Sequence, residues 1–135
     1  MIRNDIRGAP LFAEHMPTQV IERSPDGVVL ETEFTAPHLN AAGTVHGGLL
    51  ASLFDIAITG AAKASVNNGI GTFGITLSLT MNFIHPVRPG RARCESVVMG
   101  GGHRTKFVDA KLFDDQGQLA ATATSTVRVI DLEEP

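Results

Sequence analysis

The sequence predicts an α+β fold in which an antiparallel sheet of five to six strands wraps around one long central helix. Three observations carry that prediction. Residues 47 to 65 form a run of good helix formers that is apolar around most of its circumference and contains no proline. From Gly74, the side chains Ile75, Leu77, Leu79, Met81 and Phe83 alternate with Thr76, Ser78, Thr80 and Asn82, the period of two that a strand imposes. Further strand-like segments follow, joined by short turns. One long apolar helix and five or more antiparallel strands bury both apolar surfaces only if the sheet curls around the helix.

Taken in chain order, residues 9 to 16, Ala-Pro-Leu-Phe-Ala-Glu-His-Met, are expected to form a short helix with Pro10 in its first turn, where a missing N–H costs nothing. Residues 18 to 23 and 28 to 34 flank Ser24-Pro25-Asp26-Gly27, whose Pro and Gly suit a turn. Val28, Leu30 and Phe34 alternate there with Val29, Glu31 and Glu33, so the pair reads as a hairpin. The helix carries Leu49, Leu50, Leu53, Phe54, Ile56, Ala57 and Ile58, and Val66-Asn67-Asn68-Gly69 supplies the residues expected at its C-terminus. Residues 74 to 83 are the clearest strand. Strands at about 91 to 99, 104 to 113 and 118 to 130 are separated by Gly100-Gly101-Gly102 and by the turn Asp114-Asp115-Gln116-Gly117, which makes them antiparallel neighbours.

A chain of 135 residues fits one domain spanning 1–135. With 43% apolar and 19% charged residues, disorder is excluded. The formal net charge of -3 gives no long-range attraction for nucleic acid or anionic lipid, so an anionic ligand must meet a local basic cluster. Cys94, the single cysteine, has no partner for an intramolecular disulfide, and no Cys/His set has zinc spacing; the chain is expected in a reducing cytoplasm, without metal or cofactor. Met1 to Arg7 breaks its apolar residues with charge and lacks the apolar core of a signal peptide. The apolar stretch from Val45 to Ala64 contains Asp55 and Lys63, which suits a buried helix better than a membrane span.

Several familiar chemistries drop out. Gly69-Ile70-Gly71-Thr72-Phe73-Gly74 matches G-x-G-x-x-G, but a helix precedes it and a strand follows, the reverse of a dinucleotide site. No G-x-S-x-G or Walker sequence exists, and Cys94 lies mid-strand, away from any helix N-terminus that would activate it.

What remains is the segment His38-Leu39-Asn40-Ala41-Ala42-Gly43-Thr44-Val45-His46-Gly47-Gly48, which leads into the helix, and Asp55 within it. Two glycines open the helix where small polar caps are usual. Either the turn packs closely on a strand, or bare backbone lets a ligand reach N–H groups that lack intrahelical partners, at the positive end of the helix dipole. Such amides would hold an oxyanion. Asp55 sits among aliphatic residues. Gly48, Ser52, Asp55, Thr59 and Lys63 share one helical stripe, so the carboxylate either faces solvent, supported by Lys63, or lines a cleft floor.

The combination of Asn40, Gly43, His46-Gly47-Gly48 and Asp55, with Leu53 two before the acid, resembles the PaaI-like hotdog acyl-CoA thioesterases, the group that includes thioesterase superfamily member 2. The likeness runs over nearly the whole chain. It implies that Asp55 acts as general base or nucleophile on the thioester and that the Gly47 amide polarises its carbonyl. By the same resemblance Asn40 holds substrate or the attacking water, His46 belongs to the motif, and Thr76 falls where the family carries a water-orienting serine. Strand parity, however, puts Thr76 with Ser78 and Thr80 on the polar face.

Gly47 and Asp55 are eight residues apart, about 12 Å along a helix, too far for both to reach one carbon. If both act, the carboxylate comes from an antiparallel helix of a second copy, so the site is shared in a homodimer; the resemblance adds pairing of dimers into tetramers. For the nucleotide end of CoA, Gly48 and the basic residues Arg88, Arg91, Arg93, Arg104 and Lys106, with His103, are candidates around the glycine run. Leu49, Phe54, Phe83 and residues 10 to 16 are candidates to shape the acyl pocket. Two alternatives compete with hydrolysis: a hydratase or dehydratase using His46 as base, and a non-catalytic acyl-CoA binding module. No second acid supports the former, and Asp55 argues against the latter.

Overall fold

Alternation along each strand and the all-round apolar surface of the helix are resolved in the computed structural model, which describes residues 10–132, by a single curved sheet with the helix laid across its concave face. The strands are β1 (Thr18–Ser24), β2 (Gly27–Phe34), β3 (Thr72–Phe83), β4 (Gly90–Gly101), β5 (Thr105–Phe113) and β6 (Leu119–Asp131), and the helix α1 spans Gly47–Ala64 between β2 and β3. The sheet order is β1-β2-β4-β5-β6-β3, antiparallel throughout. The hairpins β1–β2, β4–β5 and β5–β6 pair as their short connections require. β3 crosses over to β6 and becomes one edge of the sheet; β1 is the other. This is the hotdog arrangement.

The core forms where α1 meets the concave face. Leu50, Leu53, Phe54, Ala57, Ile58, Ala61 and Ala62 of the helix are buried against Leu30 and Phe34 of β2, Cys94 of β4, Val108 and Leu112 of β5, and Val127 of β6. Alanines at 92, 110, 121 and 123 keep the sheet side thin, so the helix can sit close. Ser96 Oγ lies 2.9 Å from the Ala57 carbonyl and 3.2 Å from that of Val28, joining helix and sheet through a buried hydroxyl. Gly74 shows how tight the fit is: a Cβ there would lie 3.0 Å from the Thr59 carbonyl oxygen. The helix has the length and composition of a membrane span, with a mean hydropathy of 1.2, but half of it is buried inside the fold.

The N-terminal helix expected over residues 9 to 16 is a single π-turn, Leu11–His15, with Pro10 as its N-cap and the Met16 N–H donating to the Leu11 carbonyl. Ala9 and the Met1–Arg7 segment lie outside the described residues. The turn is held by a buried histidine: His38 Nδ1 accepts the Thr35 N–H at 2.9 Å, which leaves Nε2 to donate to the His15 carbonyl at 2.5 Å.

Candidate active site

A helix N-terminus exposes N–H groups unless something caps it. Here the capping position is His46, whose extended backbone (φ -54°, ψ 131°) carries no side-chain cap bond, so Gly47 begins α1 with its amide toward solvent. The loop that delivers it is pinned on both sides. The Val45 N–H donates to the Val87 carbonyl at 2.8 Å and the His46 N–H to that of His38 at 3.0 Å. Inside the loop, Asn40 Oδ1 accepts the Ala42 N–H at 2.9 Å and the Thr44 N–H at 3.2 Å, while Nδ2 donates to Thr44 Oγ1 at 3.0 Å. Gly43 turns with φ 77°, a conformation that favours glycine. Asn40 therefore spends its carboxamide mainly on building the loop, and the second Nδ2 hydrogen is what it has left for a ligand.

Asp55 lies eight residues into α1 and is half-buried. Its Oδ1 accepts a hydrogen bond from Thr76 Oγ1 at 2.5 Å. Parity had put Thr76 on the outer face, and the structure corrects this. The pairing of β3 with β6 slips between Thr76 and Ser78, a bulge at Leu77 that reverses the alternation. Before it, Thr72, Gly74 and Thr76 face the helix; after it, Leu79 and Met81 do. Ile75 and Leu77, read from the sequence as part of the inward row, are exposed. The bulge is what brings a hydroxyl to the carboxylate. Periodicity alone contains no sign of it, and only the resemblance pointed to Thr76.

Along α1 the stripe of Gly48, Ser52, Asp55 and Thr59 stays clear of the core, while Lys63 at its far end is buried. Asp55 thus lies on a stripe of small residues outside the core and is bonded to the sheet beside it. His46 is exposed at the helix start, about two and a half turns from Asp55. Cys94 is buried, and burial together with the Glu95 charge pushes its thiol far above the ordinary range, which removes it as a nucleophile.

The basic residues do not form one cluster. Arg91 and Gly101 stand at opposite ends of β4, about 33 Å apart along the strand, so Arg88, Arg91 and Arg93 belong to one end and His103, Arg104 and Lys106 to the other. The glycine run sits at the hairpin tip the sequence predicts, and what adjacency in the sequence hid is that β4 carries Arg91 and Arg93, with Arg88 just before it, away from that tip. Arg91 lies 3.9 Å from Glu31 and 3.8 Å from Glu33, Arg93 pairs with Glu95 at 3.1 Å, and Arg104 with Asp131 at 3.3 Å. Lys106 differs: it pairs with Val127, which pairs with Thr76, so it shares the helix-side row that ends at Asp55. Of the pocket candidates, Phe54 is fully buried and Leu49 packs on the core, whereas Phe83 is exposed beside Gly47. Loop anchors such as Val87 and Thr44 had no sequence signal beyond lying near the motif.

An amide donor with no partner among the described residues and a hydroxyl-held carboxylate are components that acyl transfer to water can use. They sit on one helix, and on one chain they are about 12 Å apart.

Comparison with known proteins gives the family and the fold. The model of the thioesterase superfamily matches residues 42–121, which include the glycines, Asp55 and Thr76. A Saccharolobus solfataricus protein that carries an esterase name is 28% identical over 122 residues, covering 90% of this chain and 85% of its own. A solved thioesterase from Haemophilus influenzae superposes with a TM-score of 0.84 at 18% identity, over 97% of this chain and 90% of that one. The TT0310 protein of Thermus thermophilus reaches a TM-score of 0.77 at 29% identity, over 89% of this chain and 97% of its own.

Proposed function

Because the chain belongs to the thioesterase superfamily and has the hotdog fold, we propose that it hydrolyses acyl-CoA thioesters of small, medium-chain or aryl acids, with Asp55 and the Gly47 amide as its reacting groups. Thioester hydrolysis is the activity of the family; the acyl-CoA class and the residue roles are our reading. The observation that carries it is the bond from Thr76 to Asp55, which fixes the one carboxylate of a mostly apolar helix against the sheet.

In this reading the thioester carbonyl accepts a hydrogen bond from the Gly47 N–H, at the positive end of α1. One such donor is worth about 3 kcal/mol on the oxyanion as it forms. Asp55 takes the proton from a water molecule that attacks the carbonyl carbon, and the tetrahedral intermediate collapses to the acid with loss of CoA thiolate; or Asp55 attacks that carbon itself, thiolate leaves, and water then cleaves the resulting acyl-aspartyl anhydride to release the acid and restore the carboxylate. Thr76 keeps the carboxylate in orientation, Asn40 shapes the loop and offers its remaining N–H, and His46 and Gly48 frame the mouth of the site. The helix-side position of Lys106 makes it, with His103 and Arg104, our preferred contact for the CoA phosphates, ahead of Arg88 and Arg91.

If Gly47 and Asp55 act on one carbonyl, their separation along α1 calls for a second chain. The outer edge of β3 has no strand beside it among the described residues, and Ile75 and Leu77 stand exposed along it. Pairing two such edges about a two-fold axis would run the helices antiparallel and place Asp55 of one copy near Gly47 of the other. We place the protein in the PaaI-like branch, in the cytoplasm, as a dimer that pairs into a tetramer.

The test is thiol release from a panel of acyl-CoAs by wild type and Asp55→Asn. Wild type should turn over at least one of them and Asp55→Asn should be slower by about a thousandfold, the scale of losing a general base. A binding module would release no thiol with either protein, and a hydratase would consume an enoyl-CoA without releasing thiol.

A further inference from the structure

Hydrolysis at Gly47 needs an amide and a carboxylate, but the half-site also contains an aromatic ring that the chemistry does not use. Phe83 closes β3, and its ring tip lies beside the first residue of α1. A Cβ built on Gly47 would lie 3.4 Å from Phe83 Cζ, with Cε1 and Cε2 at 3.8 and 3.9 Å. After the bulge at Leu77, Phe83 shares the helix-side parity of Leu79 and Met81, which pack on the core. One step further along, Phe83 has run past the end of the helix and remains 54% exposed. A ring that lies beside Gly47 and is still open to solvent is an apolar surface next to the amide that the proposed reading assigns to the carbonyl.

We infer that Phe83 is the acyl-selecting wall of the site, favouring apolar alkyl and aryl acyl groups over acetyl or carboxylate-bearing ones. The inference rests on the placement of the thioester carbonyl at the Gly47 amide. A carbonyl held there carries its substituents past the ring, so an alkyl chain loses water against it and an aryl group stacks on it. A charged acyl group would give up hydration there for no polar partner on the ring. Phe54 is fully buried and Leu49 is half-buried against the core, so of Leu49, Phe54 and Phe83 it is Phe83 that has the most accessible face.

The experiment measures kcat/KM on acetyl-, hexanoyl-, benzoyl- and succinyl-CoA for wild type, Phe83→Ala and Phe83→Leu, with the oligomeric state followed by sedimentation. Phe83→Ala should lose about tenfold on hexanoyl- and benzoyl-CoA and stay within about twofold on acetyl-CoA, the discrimination that one apolar contact supplies. Phe83→Leu should recover hexanoyl- but not benzoyl-CoA, and it decides the matter if the alanine variant fails to fold. Equal losses on all four substrates, with or without a fall to monomers, would overturn the inference and mark Phe83 as a structural or interface residue, leaving hydrolysis intact. If wild type releases no thiol, hydrolysis fails as a reading and Phe83 is judged by binding. The tighter binding of S-hexyl-CoA over S-methyl-CoA should then shrink in Phe83→Ala, and an unchanged gap overturns the inference.

Discussion

Thr76 and Cys94 are both small side chains on strands that pack against α1, and their surroundings give them opposite parts. Thr76 donates to a half-buried carboxylate. A hydrogen bond to a charged group is worth about 1.5–3 kcal/mol, so Thr76→Val should lower kcat by one to two decades while leaving KM nearly unchanged, and Thr76→Ser should restore it. Steady-state kinetics on one acyl-CoA checks both. Cys94 is walled in and its thiol is pushed upward, first by burial and then by the Glu95 charge. The sign follows from linkage: the native state holds the proton where the unfolded chain releases it, so stability is lost as pH rises above the unfolded thiol's value of 9.0. Above that point the loss should be about 1.4 kcal/mol per pH unit, and Cys94→Ala should remove that component, as read from urea melts between pH 8 and pH 10.5. The chain has no tyrosine to confuse the comparison. Iodoacetamide should leave Cys94 unmodified until the protein unfolds.

At the level of elements, periodicity was informative wherever a strand or helix is regular. The helix from Gly47, the β1–β2 hairpin and the run of β4, β5 and β6 stand within a residue or two of where alternation and turn residues put them. What could not be read is what breaks a period. A bulge adds one residue without changing composition, so the apolar row of β3 looked continuous although it changes face at Leu77. Long-range neighbours are equally silent: nothing in residues 72 to 83 says that they pair with β6, and nothing in the arginine spacing says that β4 holds its ends apart. Gly74 tests the resulting contact between α1 and β3. Its Cβ would press on a backbone oxygen, Thr59 O, which has no rotamer by which to yield. Gly74→Val should therefore cost about 1–3 kcal/mol in stability and reduce turnover by shifting Thr76 away from Asp55, whereas Gly48→Ala, where a Cβ meets nothing within 4 Å, should leave thermal stability nearly unchanged. Thermal melts of the two variants give the comparison.

For the whole molecule, the deciding quantity is the spacing of Gly47 and Asp55, and that was legible from residue numbers because a helix converts sequence distance into length. The two chemical groups sit on one rigid rod, so no loop motion within a chain can bring them together. A clean way to disable each half exists. Proline is well tolerated at the first helical position, and His46 already has the extended backbone that a following proline demands, so Gly47→Pro deletes one amide hydrogen with little cost to the helix. Asp55→Asn removes the proposed base, which the proposed dimer supplies to the other half-site. Each variant alone should be nearly inactive. When the two are mixed under conditions that exchange subunits, half the dimers are mixed, and each of these contains one site with both lesions and one with neither. Activity per site should then climb to about a quarter of wild type, as two-fold symmetry requires. Mixed dimers that are verified by mass and remain inactive would place both groups in one chain, against the geometry of the helix.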